Sequence, residues 1–242
     1  MYSSTSNDTF NVYRPTAERV ARTLINSEAY LVSKNEFFTW KSGVQAPVYT
    51  NCRVLYRHPG ARSMVKKALS SAVLSTFGMP DYVIGVAEAG IVWSTLVADE
   101  LHTRDAFVRK HPKQHGVGGL LAGVEQKADR PLGITAVFVD DLVASGESLE
   151  RAINIVRTEA DIEVVGIASI VNWGFVEMRD CFREMQVPAV SLVSFSELLD
   201  AAKVEGQITE AEAQELRKFY QNPRSHKWND QFFSSEIEDF GV

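Results

Sequence analysis

Between Tyr82 and Val193 the chain repeats one pattern: a short, largely apolar run rich in β-branched residues, with stretches of helical spacing between several of them. The runs are Tyr82–Val86, Ala106–Val108, Ile134–Val139, Val164–Val171 and Ala189–Val193. The helical patterns among them include Ile91–Leu101, Glu147–Ala160 and Phe175–Met185, the last with Phe175, Met178, Phe182 and Met185 on one face. A strand that is apolar on both its faces has no face to give to water, so both its sides must be covered. Helices placed between such strands supply the cover, because a link between parallel strands has to cross the sheet. The pattern predicts an α/β fold, a parallel sheet flanked by helices.

The flanking regions read differently. Pro15-Thr16 opens a helical pattern with Val20, Ala21, Leu24 and Ile25 on one side. Phe37–Trp40 and Val48–Asn51 read as two short strands about Ser42-Gly43, a hairpin. Ala61–Phe77 carries Val65, Ala68, Leu69, Ala72 and Val73 at helical spacing and is stopped by Gly78-Met79-Pro80. Near the other end, Thr209 with Glu212 forms a capping box and Pro223 closes the helix it starts. The tail 224–242, with Trp228, Phe232, Phe233 and Phe240, is expected to pack on the body. A length of 242 residues suits a single domain, divided here into 1–60 (helix and hairpin), 61–194 (the α/β core) and 195–242 (a helical segment).

Composition narrows the function classes. The net charge is −6, from 31 acidic and 25 basic side chains, which argues against a nucleic-acid binder. Apolar stretches are too short for a membrane span, and the polar Met1–Phe10 has no signal-peptide pattern. Cys52 and Cys181 have neither disulfide nor metal-site spacing, so reduced thiols in a cytoplasmic protein are expected. Against the acidic average, Arg104–His115 is a local basic cluster holding Arg109, Lys110 and Lys113.

The most informative segment is Val137-Phe138-Val139-Asp140-Asp141-Leu142-Val143-Ala144-Ser145-Gly146-Glu147-Ser148. A strand ends in two acids, and a turn of small residues opens a helix. Ligands of open α/β sheets bind at the carboxyl ends of strands. A helix N-terminus offers free N–H groups to phosphate, and Gly146 allows close approach. Carboxylates beside a phosphate cradle need a reason, and sugar hydroxyls or a bridging magnesium ion supply one. The parts describe a site for a ribose 5-phosphate, whereas an ordinary strand–turn–helix would need only a capping Asp.

This segment resembles the binding motif for 5-phosphoribosyl 1-diphosphate (PRPP) of type I phosphoribosyltransferases. Further matches follow in family order. Trp40-Lys41-Ser42-Gly43 with Pro47-Val48-Tyr49 resembles the N-terminal hairpin of the orotate phosphoribosyltransferases, and Gly85–Ile91 their pyrophosphate loop. Phe107–Gly116 is similar to their mobile catalytic loop. The resemblance implies a type I phosphoribosyltransferase fold, with a small hood built from the N-terminal hairpin and the helical C-terminal segment. It implies magnesium-dependent transfer of phosphoribosyl from PRPP to orotate in a homodimer with shared sites, without nucleic-acid or membrane partners.

Residue by residue, the resemblance assigns PRPP to Lys41, Arg109, Lys110, Lys113, His115 and the segment from Asp140 and Asp141 through Leu142, Val143, Ala144, Ser145, Gly146 and Glu147 to Ser148. Lys113, His115 and Asp141 are the expected catalytic groups, with Lys113 and His115 reaching across the dimer. The Val86–Gly90 backbone would hold pyrophosphate, and Arg53 matches a basic position after the hairpin. Lys41, Tyr49, Ala144 and Trp173 are expected at the base. Magnesium would arrive with PRPP near Asp140 and Asp141, with no ion held by protein alone. The base contacts depart from the family pattern: Ala144 stands for a threonine, Ala46 for a serine, and Asn172-Trp173 where an arginine is usual, none appearing until Arg179. An enzyme for another nitrogenous base, with Trp173 stacking on it, and a PRPP-binding regulator remain alternatives.

Overall fold

A computed structural model describes residues 10–33, 37–40, 42–112, 119–125 and 131–224. The chain opens with β1 (Phe10–Val12), a short turn and α1 (Ala17–Asn26), followed by β2 (Tyr30–Val32), β3 (Phe38–Thr39), β4 (Gln45–Ala46) and β5 (Val48–Thr50). After a 3₁₀ turn at Cys52–Arg57 come α2 (Pro59–Phe77), β6 (Tyr82–Val86), α3 (Ala89–Leu101), β7 (Arg104–Val108) and β8 (Leu121–Ala122). The second half runs β9 (Thr135–Val143), α4 (Glu147–Ile155), β10 (Glu163–Asn172), α5 (Val176–Met185), β11 (Ala189–Ser194), α6 (Phe195–Val204) and α7 (Glu210–Gln221).

The main sheet has the order β1-β11-β10-β9-β6-β7-β8, parallel except for β8 at its edge. Its faces follow the period of two that strands impose. Val83, Val137, Val139, Ala168 and Ile170 point into one core, shared with α1, α2, α3, α6 and α7. Tyr82, Ile84, Ala136, Phe138 and Ile167 point into the other, closed by α4 and α5 through Leu149, Ile153, Met178 and Phe182. The alternating apolar runs thus form the expected parallel sheet between helices.

Three local readings are corrected. The partner of Phe38-Thr39 is Gln45-Ala46, and Val48–Thr50 instead pairs antiparallel with Tyr30–Val32, an unanticipated strand. Pro47 cannot donate to a ladder, and the chain changes partner there. Phe10–Val12, for which the sequence offered no strand pattern, is an edge strand alongside Ala189–Ser191. Finally, β9 does not stop at Val139 but continues through both acids to Val143, registered against Ser169–Asn172 of β10.

The hood is bound to the C-terminal helices by rings. Trp40 meets Trp173 edge-on (centroids 4.8 Å apart) and Phe219 of α7 (5.7 Å), while Phe195 stacks on Tyr220 (4.5 Å). The Trp40 indole N–H donates to the Val48 carbonyl at 3.0 Å, so the half-buried ring keeps its polar group satisfied. These contacts join the chain before residue 50 to residues beyond 215. The tail 225–242 lies outside the described residues.

Candidate active site

Pairing of β6 with β9 ends at Gly85 opposite Val139, so the next residues of β9 emerge beside the start of α3. Those residues are Asp140 and Asp141. Asp140 is buried, Asp141 is half-buried, and the Asp141 N–H donates to Asp140 Oδ1 at 2.9 Å. Burial, then the charge of Asp141, pushes the Asp140 carboxyl above the usual range. Burial also raises Asp141, opposed by its hydrogen bond to Asp140 and by the charge of Arg53. Opposite Asp140 in the ladder lies Ser169, whose buried hydroxyl has no hydrogen-bond partner among the described residues. Such a pair of reluctant carboxylates is suited to accept from sugar hydroxyls or to meet a cation.

Immediately beyond lies the phosphate turn. Gly146 is the N-cap of α4 in the left-handed region (φ 86°), and a Cβ there would fall 3.2 Å from the Phe182 ring. Both constraints demand glycine. No side chain among the described residues caps α4, leaving its first N–H groups for an anion. Ser145, Glu147 and Ser148 are exposed, and Ala144 is half-buried. Leu142 and Val143, expected in the loop, are strand residues; the Val143 side chain is buried in the α4–α5 core.

The pyrophosphate-type loop packs against the same acids. A Cβ on Gly85 would lie 2.5 Å from the Gly90 carbonyl oxygen and 2.6 Å from Ser94 Oγ, so strand and helix approach as only glycine permits. The Ala87–Glu88 peptide is cis. The 3₁₀ turn before α2 spans both segments: Cys52 Sγ is 3.8 Å from the Asp141 carbonyl oxygen, and the Tyr56 hydroxyl donates to the Ala89 carbonyl at 3.2 Å. Arg53, exposed on this turn, is the cation that opposes the rise of both acids. Burial, reinforced by Asp141, pushes the Tyr56 hydroxyl up to about 12. The sequence reading missed Tyr56; its spacing from Arg53 carried no motif.

Of the basic loop, the near end is described. The Arg109 N–H donates to the Leu120 carbonyl (2.8 Å), its guanidinium to the Gly119 carbonyl (3.4 Å), and its cation lies 5.1 Å from the Phe107 ring centroid. Arg109 therefore fastens the neck of the loop. Lys110 pairs with Glu88 of the facing loop at 3.4 Å. Lys113 and His115 lie outside the described residues, as does Lys41.

At the expected base position Tyr49 is 40% exposed and stacks on Phe38 at 5.4 Å. Trp173 is not open to a ligand: it is 4% exposed, packed among Trp40, Phe175 and Phe195. The stacking role expected of Trp173 is thereby corrected to a core one, because its ring faces are already covered by other rings. Asn172 Oδ1 accepts from the Gly174 N–H, tying down the turn after β10. Arg179 hydrogen-bonds Tyr220 of α7, which opposes the rise that burial gives the Tyr220 hydroxyl. Among the described residues no group of three or more His, Cys, Asp or Glu gathers as a metal cage, and no helix is long and apolar enough to cross a membrane.

Comparison with known proteins agrees with this geometry. A model of the phosphoribosyl transferase domain matches residues 53–184. An orotate phosphoribosyltransferase of Staphylococcus haemolyticus is 32% identical over 206 residues, covering 85% of this chain and 99% of the relative. One from Listeria monocytogenes is 32% identical over 211 residues, covering 87% and 97%. The crystal structure of orotate phosphoribosyltransferase from Aeropyrum pernix superposes with a TM-score of 0.63 at 26% identity, covering 78% of this chain and 99% of that one. An acid pair at the end of a parallel strand, an uncapped helix behind Gly146 and relatives matched over nearly their whole length lead to one assignment: the chain belongs to the orotate phosphoribosyltransferase family.

Proposed function

We propose that the protein transfers the 5-phosphoribosyl group of PRPP to orotate, giving orotidine 5'-monophosphate and pyrophosphate. The observation that carries this reading is the junction of Asp140 and Asp141 with the uncapped N-terminus of α4. Asp140 and Asp141 accept from the ribose hydroxyls, while N–H groups from Ser145 to Ser148 hold the 5'-phosphate. The Val86–Gly90 backbone and Lys110 take the pyrophosphate. Departure of that group leaves an oxocarbenium-like sugar, so cations must meet the charge growing on the leaving oxygens. Lys113 and His115 supply them from the neighbouring subunit of a homodimer, and closure of their loop excludes water.

Two carboxylates held above their ordinary range chiefly by burial would hold a magnesium ion together with PRPP and water. Bound there, the ion would offset phosphate charge. Lys41 and Tyr49 flank the base, Ala144 lines it, and Trp173 supports the pocket from behind. No nucleic-acid or membrane partner is needed, and a cytoplasmic setting suits the unpaired cysteines.

A second reading, the same transfer to another base, is favoured by one feature. Asn172 is committed to Gly174 and Arg179 to Tyr220, in the stretch where the family usually presents an arginine. The test is PRPP-dependent pyrophosphate release with orotate, uracil, nicotinate and purines. Turnover with orotate above all others is expected. Release with a different base alone would overturn the orotate assignment and keep the transfer chemistry.

A further inference from the structure

The loop expected to hold pyrophosphate carries an acid. Glu88 immediately precedes α3, so its carboxylate lies at a helix end whose free N–H groups draw negative charge. It faces Lys110, with Oε1 3.4 Å from Nζ. The register of the sheet makes this pair. Val86 lies opposite Val108, and the Ala87 N–H donates to the Val108 carbonyl at 2.9 Å, which brings the two segments that follow these strands side by side. The side chains are 70% and 54% exposed, which leaves the pair open to a competing anion and weakly held. The Tyr56 hydroxyl and the Gly85–Gly90 packing fix the loop beneath, so Glu88 has a rigid base from which to present its charge.

We propose that Glu88 is a resident counter-anion of the pyrophosphate loop: a positioning residue that holds Lys110 over the loop when no ligand is present and competes with diphosphate for that cation. The proposal rests on the diphosphate reading of this loop given above. Lysine has a long stem and loses much rotamer freedom when it is immobilised. Pairing with Glu88 orders Lys110 before the ligand arrives. The same carboxylate draws Lys110 away from bound diphosphate, which eases the departure of the product.

Calorimetric titration of magnesium diphosphate into wild type, Glu88→Gln, Glu88→Asp, Lys110→Met and the Glu88→Gln/Lys110→Met double variant tests this. Glu88→Gln should bind diphosphate about two- to fivefold more tightly, the size an exposed ion pair supports. Glu88→Asp keeps the charge and should bind as wild type does. With Lys110→Met already present, Glu88→Gln should have no effect, since the cation competed for is gone. The gain should also shrink as salt is raised. Unchanged or weaker binding by Glu88→Gln would overturn the proposal. An equal gain in the Lys110→Met background would do so too, because simple repulsion would then suffice. Wild-type protein that binds diphosphate yet transfers nothing to orotate would sink the activity while leaving this test intact. Wild type that binds no diphosphate overturns the proposal with its premise.

Discussion

Gly90 touches Asp140 as closely as a residue without a side chain can. A Cβ on Gly90 would lie 3.1 Å from Asp140 Oδ1 and 3.0 Å from the Val139 carbonyl oxygen. The start of α3 and the acid end of β9 are therefore one packed unit, and the groups proposed for pyrophosphate and ribose cannot move independently. Proteins transmit such small displacements because their interiors are close-packed.

Gly90→Ala should keep the fold and lower kcat/KM for PRPP by roughly 10- to 100-fold, since small misplacements at a reacting centre have effects of this order. Gly85→Ala, whose Cβ would meet backbone, should also destabilise the protein by about 1–3 kcal/mol. Urea unfolding and steady-state kinetics read the two effects separately. Wild-type kinetics in Gly90→Ala would show that the two segments tolerate separation.

Asp140→Asn and Asp141→Asn should each weaken PRPP binding by roughly 10- to 100-fold, the range of a lost charge-assisted hydrogen bond. Calorimetry with PRPP and magnesium measures it. Because burial disfavours both charges, the variants should unfold no more readily than wild type. A loss of stability without a loss of affinity would make the acids structural.

Trp173→Ala should cost about 3–5 kcal/mol of stability, as for other large buried rings. Trp173→Phe should lose far less and keep the KM for orotate within about twofold. A stable Trp173→Phe protein with a greatly raised KM would return this ring to the base pocket.

The capping box of α6 should give stability a pH dependence. Burial alone would raise Glu197, but the Ser194 hydroxyl and N–H donate to its carboxylate and hold it below the ordinary range. A folded value below the unfolded one, near 4.3, stabilises at higher pH and loses that contribution as pH falls through the folded value. Glu197→Gln should cost about 1 kcal/mol at pH 7 and much less at pH 3, measured by urea unfolding at both. An equal cost at the two pH values would refute the charge-based account.

Mixing Lys113→Ala with Asp141→Asn protein should restore activity if sites are shared between subunits, because one site of the mixed dimer is then intact. Recovery toward a quarter of wild-type activity is the rough ceiling for random exchange, since each site would need an intact contribution from both subunits. Confirmed exchange without recovery would place Lys113 in its own subunit's site.

What the chain determined by itself were features written in contiguous residues. The apolar runs forced a covered parallel sheet because their backbone groups pair only with other strands and their side chains leave no polar face. Thr209 and Glu212 form their capping box within one turn of α7. Gly146 beside two acids specifies a ligand turn for the same local reason: its φ of 86° is a property of that one residue. Tertiary structure decided whatever depended on distant partners. Val48–Thr50 could have closed the hairpin or joined Tyr30–Val32, and burial of the hood chose the second. Trp173 next to a proposed base site looked like a stacking platform until Trp40 and Phe195 arrived from elsewhere in the chain to cover it. Glu88 met Lys110 through the register of β6 on β7, which no spacing along the chain encodes. Periodicity acts over a few residues and can be read directly; the choice among competing long-range pairings is made by the burial and charge of the whole assembled fold.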